Sequence, residues 1–127
     1  MDENEIGKMC LGAAITVHHE LGPGLMETVY EAALAHEIHS RGLAVQRQVP
    51  VELHYRGVRF EEGFRLDLCV ESRIIVELKC VDTLNNAHRK QLLTYLRLTD
   101  LRLGYLLNFA ESRMKDGITR MVNGLET

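Results

Sequence analysis

Residues 64–81 of this chain read FRLDLCVESRIIVELKCV, and the alternation of apolar side chains in this stretch decides the fold. Apolar residues occupy the even positions of residues 64–70 and again of residues 74–78, which is the period of two typical of β-strands and predicts that these residues share one face of the sheet. The second run is apolar on both faces, which indicates a central, well-covered strand. A loop of three residues separates the runs and would pair Val70 with Ile74 in an antiparallel hairpin.

That register predicts that Asp67 and Glu77 lie opposite each other on the odd face, with Lys79 two residues further along the same strand. Two carboxylates with Cβ atoms about 5 Å apart repel each other and favour a shared divalent cation, Mg²⁺ or Mn²⁺ where all ligands are oxygen. The charge of Lys79 suits a phosphate or an attacking water. The alternative is a cross-strand salt bridge between Asp67 and Lys79. Because a buried, unpaired carboxylate is costly, Glu77 within an apolar strand favours the cation.

Other periodic segments surround this hairpin. Helical apolar spacing and strand-like alternation are both present. The predicted helices are residues 5–21, 24–40 and 86–99, and the further strands are residues 45–55, the strand that begins at residue 58, 102–109 and, more weakly, 117–123. We therefore predict a single domain over residues 1–127, of the α/β class in the order α-α-β-β-β-α-β, with a central mixed sheet flanked by helices.

Two residues set details of the first hairpin. Pro50 confines its strand to an edge or a bulged position, because proline has no N–H to donate to a ladder. Gly63 indicates a bulge or bend in the next strand.

Further candidate site residues lie on the helices. Glu27 is either a solvent-facing acid or a third carboxylate for the metal site. Gln91 and Tyr95 are four residues apart, so they share one face of their helix and are expected to point at the same site. Lys90 and Arg97 share another face, which either contacts a phosphate backbone or is simply solvated.

Composition limits the class of function. The 127 residues carry 15 Lys+Arg against 18 Asp+Glu, a net charge of -3, which excludes a protein that coats nucleic acid non-specifically. The odd number of cysteines, Cys10, Cys69 and Cys80, lacks metal-ligand spacing and fits reduced thiols. Because the N-terminus is acidic and no apolar run approaches a membrane span, we expect a cytoplasmic protein without membrane contact.

Residues 24–30 read GLMETVY and resemble the signature of the bacterial GxxExxY proteins, a likeness that extends over nearly the whole chain. That family is placed in the PD-(D/E)xK nuclease-like superfamily. The resemblance implies a restriction-endonuclease-like core with Asp67 at the D position and Glu77 and Lys79 at the ExK positions. Leu66 replaces the proline of the superfamily name, and residues 91–95 resemble the QxxxY element of exonuclease-type members.

The combined expectation is a divalent-metal-dependent nuclease acting on DNA or RNA. Mg²⁺ or Mn²⁺ would be held by Asp67, Glu77, the backbone carbonyl of Leu78 and Glu27, while Lys79, Gln91 and Tyr95 serve catalysis. The alternative is a catalytically inactive module of the same fold that binds nucleic acid, itself or another protein through a Leu- and Tyr-rich surface. The small size of the chain favours a homodimer or a protein partner for an active form.

Overall fold

The computed structural model describes residues 1–125. Within them, three α-helices and a short 3₁₀-helix accompany one mixed sheet of five strands in the order β1-β2-β3-β4-β5. The elements are α1 (Glu3–Leu21), α2 (Glu27–Ser40), β1 (Val45–Tyr55), β2 (Val58–Val70), β3 (Ile74–Lys79), α3 (Asn86–Thr99), β4 (Leu103–Asn108), the 3₁₀-helix (Met114–Gly117) and β5 (Ile118–Val122). The predicted α/β class and element order are confirmed, and the weakly patterned C-terminal segment forms a true strand.

The predicted hairpin register is confirmed. Val70 pairs with Ile74, and Leu68 with Val76, across the antiparallel β2–β3 ladder. α3 then carries the chain over the sheet, so that β4 lies parallel to β3. Every residue of β4, and every residue of β3 except Lys79, is buried, which explains their almost continuous apolar sequence.

Helices cover both faces of the sheet. On one face, α1 and α2 pack against even-numbered β3 residues such as Ile74, Val76 and Leu78. On the other face, α3 contributes Leu92 and Leu96 to a smaller cluster that contains Ile75 and Leu106. The two clusters together bury the central strands from above and below, as a mixed sheet flanked by helices requires.

One prediction about β2 is wrong. Its even-numbered apolar residues do not share a single face, because Leu68 and Val70 pack in the α1–α2 cluster whereas Phe64 and Leu66 pack against α3. The change of face coincides with Gln48 on the paired strand, whose φ is 50°. A positive φ interrupts the pleat that alternation assumes, so the period of two does not carry through this point.

The first hairpin lies at the sheet edge, as Pro50 predicts. β1 pairs only with β2, and the register shifts between Val51 and Leu53. A Cβ at Gly63 would lie 2.4 Å from side-chain atoms of Leu53. Gly63 therefore permits a close approach of the two strands at the bulge.

Two predictions concern the chain as a whole. No helix within residues 1–125 combines the length and apolar character needed to cross a membrane. Cys10, Cys69 and Cys80 are all free thiols, as their odd number predicts.

Candidate active site

Asp67 and Glu77 meet where the β2–β3 ladder ends. Beyond the Leu68–Val76 pair, hydrogen bonds from backbone N–H groups to the two carboxylates take the place of the backbone ladder. The Asp67 N–H donates to Oε2 of Glu77 at 2.7 Å, and the Leu78 N–H donates to Oδ2 of Asp67 at 2.9 Å. Each acid is therefore held by the backbone of the other strand, which brings both carboxylates to one point of the sheet.

Burial makes this pair of acids costly to ionise together. Glu77 is only 4% exposed, and its burial, reinforced by the charge of Asp67, raises its pKa to about 8. Burial also raises the pKa of Asp67, while the Leu78 N–H and the nearby Gln48 side chain oppose that rise. Two close, desolvated carboxylates are an arrangement that a cation stabilises.

Lys79 lies beside the acids without pairing with them. Its charge lowers the pKa of Asp67, Glu77 and Glu27, yet within residues 1–125 no carboxylate oxygen is within 4.0 Å of its Nζ. The alternative of a simple Asp67–Lys79 salt bridge is therefore not formed. The ammonium group remains available to another anion.

The Leu78 carbonyl is directed to the same side as Asp67. The N–H of Leu78 points to β2, where it meets the Asp67 carboxylate, and the C=O of a strand residue points to the same neighbour as its N–H. The next carbonyl, of Lys79, points the opposite way and accepts the Phe109 N–H at 2.9 Å. A third oxygen donor thus faces the acids.

The loop before α2 positions Glu27. Tyr30 is fully buried, and its hydroxyl donates to the Gly22 carbonyl at 2.5 Å and accepts the Leu25 N–H at 3.1 Å. Gly24 adopts a φ of 106°, which glycine tolerates best. These contacts hold the loop in a conformation from which α2 begins at Glu27. The pKa of Glu27 is raised by burial and then by the charge of Asp67.

A second acid of α2 was missed from the sequence. Glu31 lies one helical turn after Glu27 and is buried. Its Oε1 accepts the Gln48 Nε2 at 2.6 Å, and its Oε2 accepts the Arg47 guanidinium at 3.1 to 3.2 Å. The spacing of four residues from Glu27 was the signal that could have identified it.

Of the α3 candidates, Tyr95 approaches the acids. Its ring stacks on Phe64 with centroids 4.3 Å apart, and its pKa is raised by burial and then by the charges of Glu77 and Asp67. Gln91 and Lys90 are exposed and form no side-chain hydrogen bond within residues 1–125. Arg97 is exposed and donates to Thr94 Oγ1 at 3.3 Å. The structure therefore brings Tyr95 to the site but does not join the other three to it by a contact.

The donor set suits a hard divalent cation. In residues 1–125 no three His, Cys, Asp or Glu residues are grouped closely enough to form a complete metal cage. Mg²⁺, however, is commonly held by one or two carboxylates together with water and substrate phosphate. Asp67, Glu77 and the Leu78 carbonyl could supply oxygen ligands of that kind, and the raised pKa of Glu77 reflects a cost of ionisation that a bound cation would offset.

Comparison with known proteins gives one match. A family model described as the PD-(D/E)XK nuclease superfamily matches residues 4–121. No curated protein matches the chain, and no solved structure does. The match begins at the second residue of α1, covers α2, α3 and β1 to β4 completely, and ends within β5.

Proposed function

The chain belongs to the PD-(D/E)XK nuclease superfamily, and on that premise we propose that it is a divalent-metal-dependent nuclease that hydrolyses phosphodiester bonds in DNA or RNA. The observation that carries the proposal is the reciprocal bonding of Asp67 and Glu77 beside an unpaired Lys79. A structural ion pair would not need a buried acid and a half-buried acid that repel each other. A cation-binding site does need such a pair of acids, because the cation offsets the repulsion between them.

The cation would be Mg²⁺ or Mn²⁺, held by Asp67, Glu77 and the Leu78 carbonyl, with Glu27 as a further carboxylate at the start of α2. When bound, such an ion polarises a phosphoryl oxygen and lowers the pKa of a water ligand. Glu77 contributes in its ionised form, because only a carboxylate balances the charge of the ion. The backbone bonds keep both carboxylates in place before any ligand arrives.

Lys79 would stabilise charge on the phosphate and orient the attacking water. Its place at the end of β3 keeps its ammonium near the acids without binding one of them. Tyr95 would orient Lys79 or the substrate, with its ring held by Phe64. For Gln91 we propose the same orienting role once substrate is bound, and for Lys90 and Arg97 contact with the nucleic-acid backbone.

Within the superfamily, we assign the chain to the GxxExxY proteins and to the bacterial cytoplasm. The contacts of Tyr30, the backbone of Gly24 and the charge interaction of Glu27 with Asp67 support the assignment to the GxxExxY proteins, because they give each position of the motif a physical role. Gly24 and Tyr30 fix the loop, and Glu27 faces the acids.

Cleavage assays test the proposed activity. Labelled single- and double-stranded DNA and RNA are incubated with Mg²⁺, with Mn²⁺ or with EDTA, and the products are resolved by electrophoresis. We expect metal-dependent cleavage by the wild type and its loss in Glu77→Ala, while Glu61→Gln, a change at an exposed acid of β2, retains it. Absence of cleavage on every substrate, or equal cleavage by Glu77→Ala, would contradict the proposal.

A second candidate is a non-catalytic module that binds a second copy or another protein. Its supporting observation is the exposed end of the β1–β2 hairpin, where Tyr55, Val58 and Phe60 are 62%, 52% and 49% exposed. The expected Tyr-rich surface is otherwise wrong, because Tyr30 and Tyr105 are buried. Light scattering after size exclusion distinguishes this candidate: a dimer that Phe60→Ser dissociates supports it, and a monomer at all concentrations excludes self-association.

A further inference from the structure

Gln48 adopts a backbone conformation that is unusual inside a strand. Its φ of 50° lies in the left-handed region, which residues other than glycine, asparagine and aspartate rarely occupy. The pairs on either side place Gln48 opposite Asp67, yet these two residues do not themselves pair in the ladder. Backbone outliers of this kind persist only where the surrounding contacts hold them, and they cluster at functional sites.

The side chain of Gln48 lies between two acids. Its Nε2 donates to Oε1 of Glu31 at 2.6 Å, and the nearby side chain also lowers the pKa of the Asp67 carboxyl, which lies opposite on β2. An ionised carboxylate only accepts hydrogen bonds, whereas the amide nitrogen of glutamine carries two hydrogens. The bond to Glu31 therefore requires the NH₂ group, which sets the orientation of the amide and leaves its second hydrogen for Asp67.

Glu31 provides a firm anchor for this bridge. It is 6% exposed, and its other oxygen is occupied by the Arg47 guanidinium at 3.1 to 3.2 Å. Because both of its oxygens are bonded, Glu31 is held in place on α2 and is a fixed acceptor for the Gln48 amide. The bonds from Gln48 and Arg47 connect α2 to β1 at the position opposite Asp67.

We propose that Gln48 is a positioning residue of the metal site: anchored by Glu31, its side-chain amide holds the Asp67 carboxylate in the orientation that binds the cation. This inference rests on the proposed function, because it assumes that Asp67 is a ligand. This role accounts for the left-handed backbone at Gln48. An ordinary extended residue would continue the alternation of the strand and would turn its side chain away from the two acids. Partners that orient metal ligands typically change metal affinity 10- to 100-fold when they are removed.

Calorimetric titration with Mn²⁺ alone tests the inference. Gln48→Met keeps the length of the side chain and removes the amide, and Gln46→Met is the matched control at an exposed glutamine of the same strand. We expect Mn²⁺ affinity to fall by about 10- to 100-fold in Gln48→Met and to stay unchanged in Gln46→Met. A urea unfolding curve for each protein shows that the titrated sample is folded, and Gln48→Gly, which tolerates the positive φ, replaces Gln48→Met if that variant does not fold.

The outcomes separate the inference from the function on which it rests. If the wild type binds Mn²⁺ and the Gln48 variant binds it equally well, Gln48 only supports the fold and the inference is overturned while the metal site stands. If Gln46→Met weakens binding as much as Gln48→Met, the effect is not specific and the inference is also overturned. If the wild type binds no Mn²⁺, the proposed function itself fails.

Discussion

Replacing Glu77 with glutamine should stabilise the metal-free protein at neutral and alkaline pH. The wild-type carboxyl has its pKa raised from 4.5 to about 8 by burial and by Asp67. Below pH 4.5 it is protonated in the folded and unfolded chains alike. As the pH rises to 8, the unfolded chain releases this proton before the folded chain does, so the free energy of unfolding falls across that window. Glutamine carries no such proton, and the stability of Glu77→Gln should not fall for this reason.

The size of the effect follows from the same values. A displacement from 4.5 to about 8, at about 1.4 kcal/mol for each pKa unit, limits the difference between variant and wild type to about 5 kcal/mol at pH 9. Close to pH 4.5 the difference should be small. Glutamine can keep the existing contact, because its side-chain oxygen can accept the Asp67 N–H that Glu77 accepts at 2.7 Å.

Urea unfolding at pH 5, 7 and 9 in EDTA measures the difference, with Glu61→Gln as the control at an exposed acid. The gap between Glu77→Gln and wild type should widen with pH, whereas Glu61→Gln should follow the wild type. Saturating Mg²⁺ should narrow the gap, since a ligand that binds the folded state stabilises it. Parallel curves for Glu77→Gln and wild type from pH 5 to pH 9 would refute the reasoning.

Three further predictions concern the scaffold around the acids, each measured by urea unfolding. Tyr30→Phe removes the hydroxyl that bonds Gly22 and Leu25 and should cost about 1–3 kcal/mol; an unchanged midpoint would show that the loop is not held there. Gly63→Ala places a Cβ 2.4 Å from side-chain atoms of Leu53 and should lower the free energy of unfolding by about 1–3 kcal/mol. The loss should be smaller when the same chain also carries Leu53→Ala, and an equal loss with and without Leu53→Ala would contradict the close contact. Leu96→Ala should cost about 2–5 kcal/mol, whereas Leu98→Ala, half exposed on the same helix, should change stability by less than about 0.5 kcal/mol; equal costs would mean that the α3 face is misassigned.

The central hairpin was predictable because its determinants are local. Alternation in residues 74–78 and a loop of three residues fix the register, and the register alone places Asp67 near Glu77. Pro50 and Gly63 marked the edge strand and the bulge for equally local reasons, a missing donor and a missing side chain. The burial of β3 and β4 on both faces of the sheet was predictable from their almost continuous runs of apolar residues.

The remaining features depend on long-range contacts or on backbone conformation. Gln48 carries a positive φ that glutamine does not suggest, so the change of face in β2 had no signal in the hydrophobic pattern. Glu31 had a signal in its spacing of four residues from Glu27, but its partners on β1 are long-range contacts that the sequence does not indicate. Gln91 and Tyr95 share a helix face by spacing, but only Tyr95 is held, through its stacking on Phe64.

The central claim is that Asp67 and Glu77 hold a divalent cation. Its most direct test is a crystal grown or soaked with Mn²⁺, with anomalous diffraction measured at the manganese edge. We predict an anomalous peak within ligand distance of both carboxylates in the wild type and no peak there in Glu77→Ala. A wild-type crystal without a peak at these residues, or with its manganese bound elsewhere, would contradict the account.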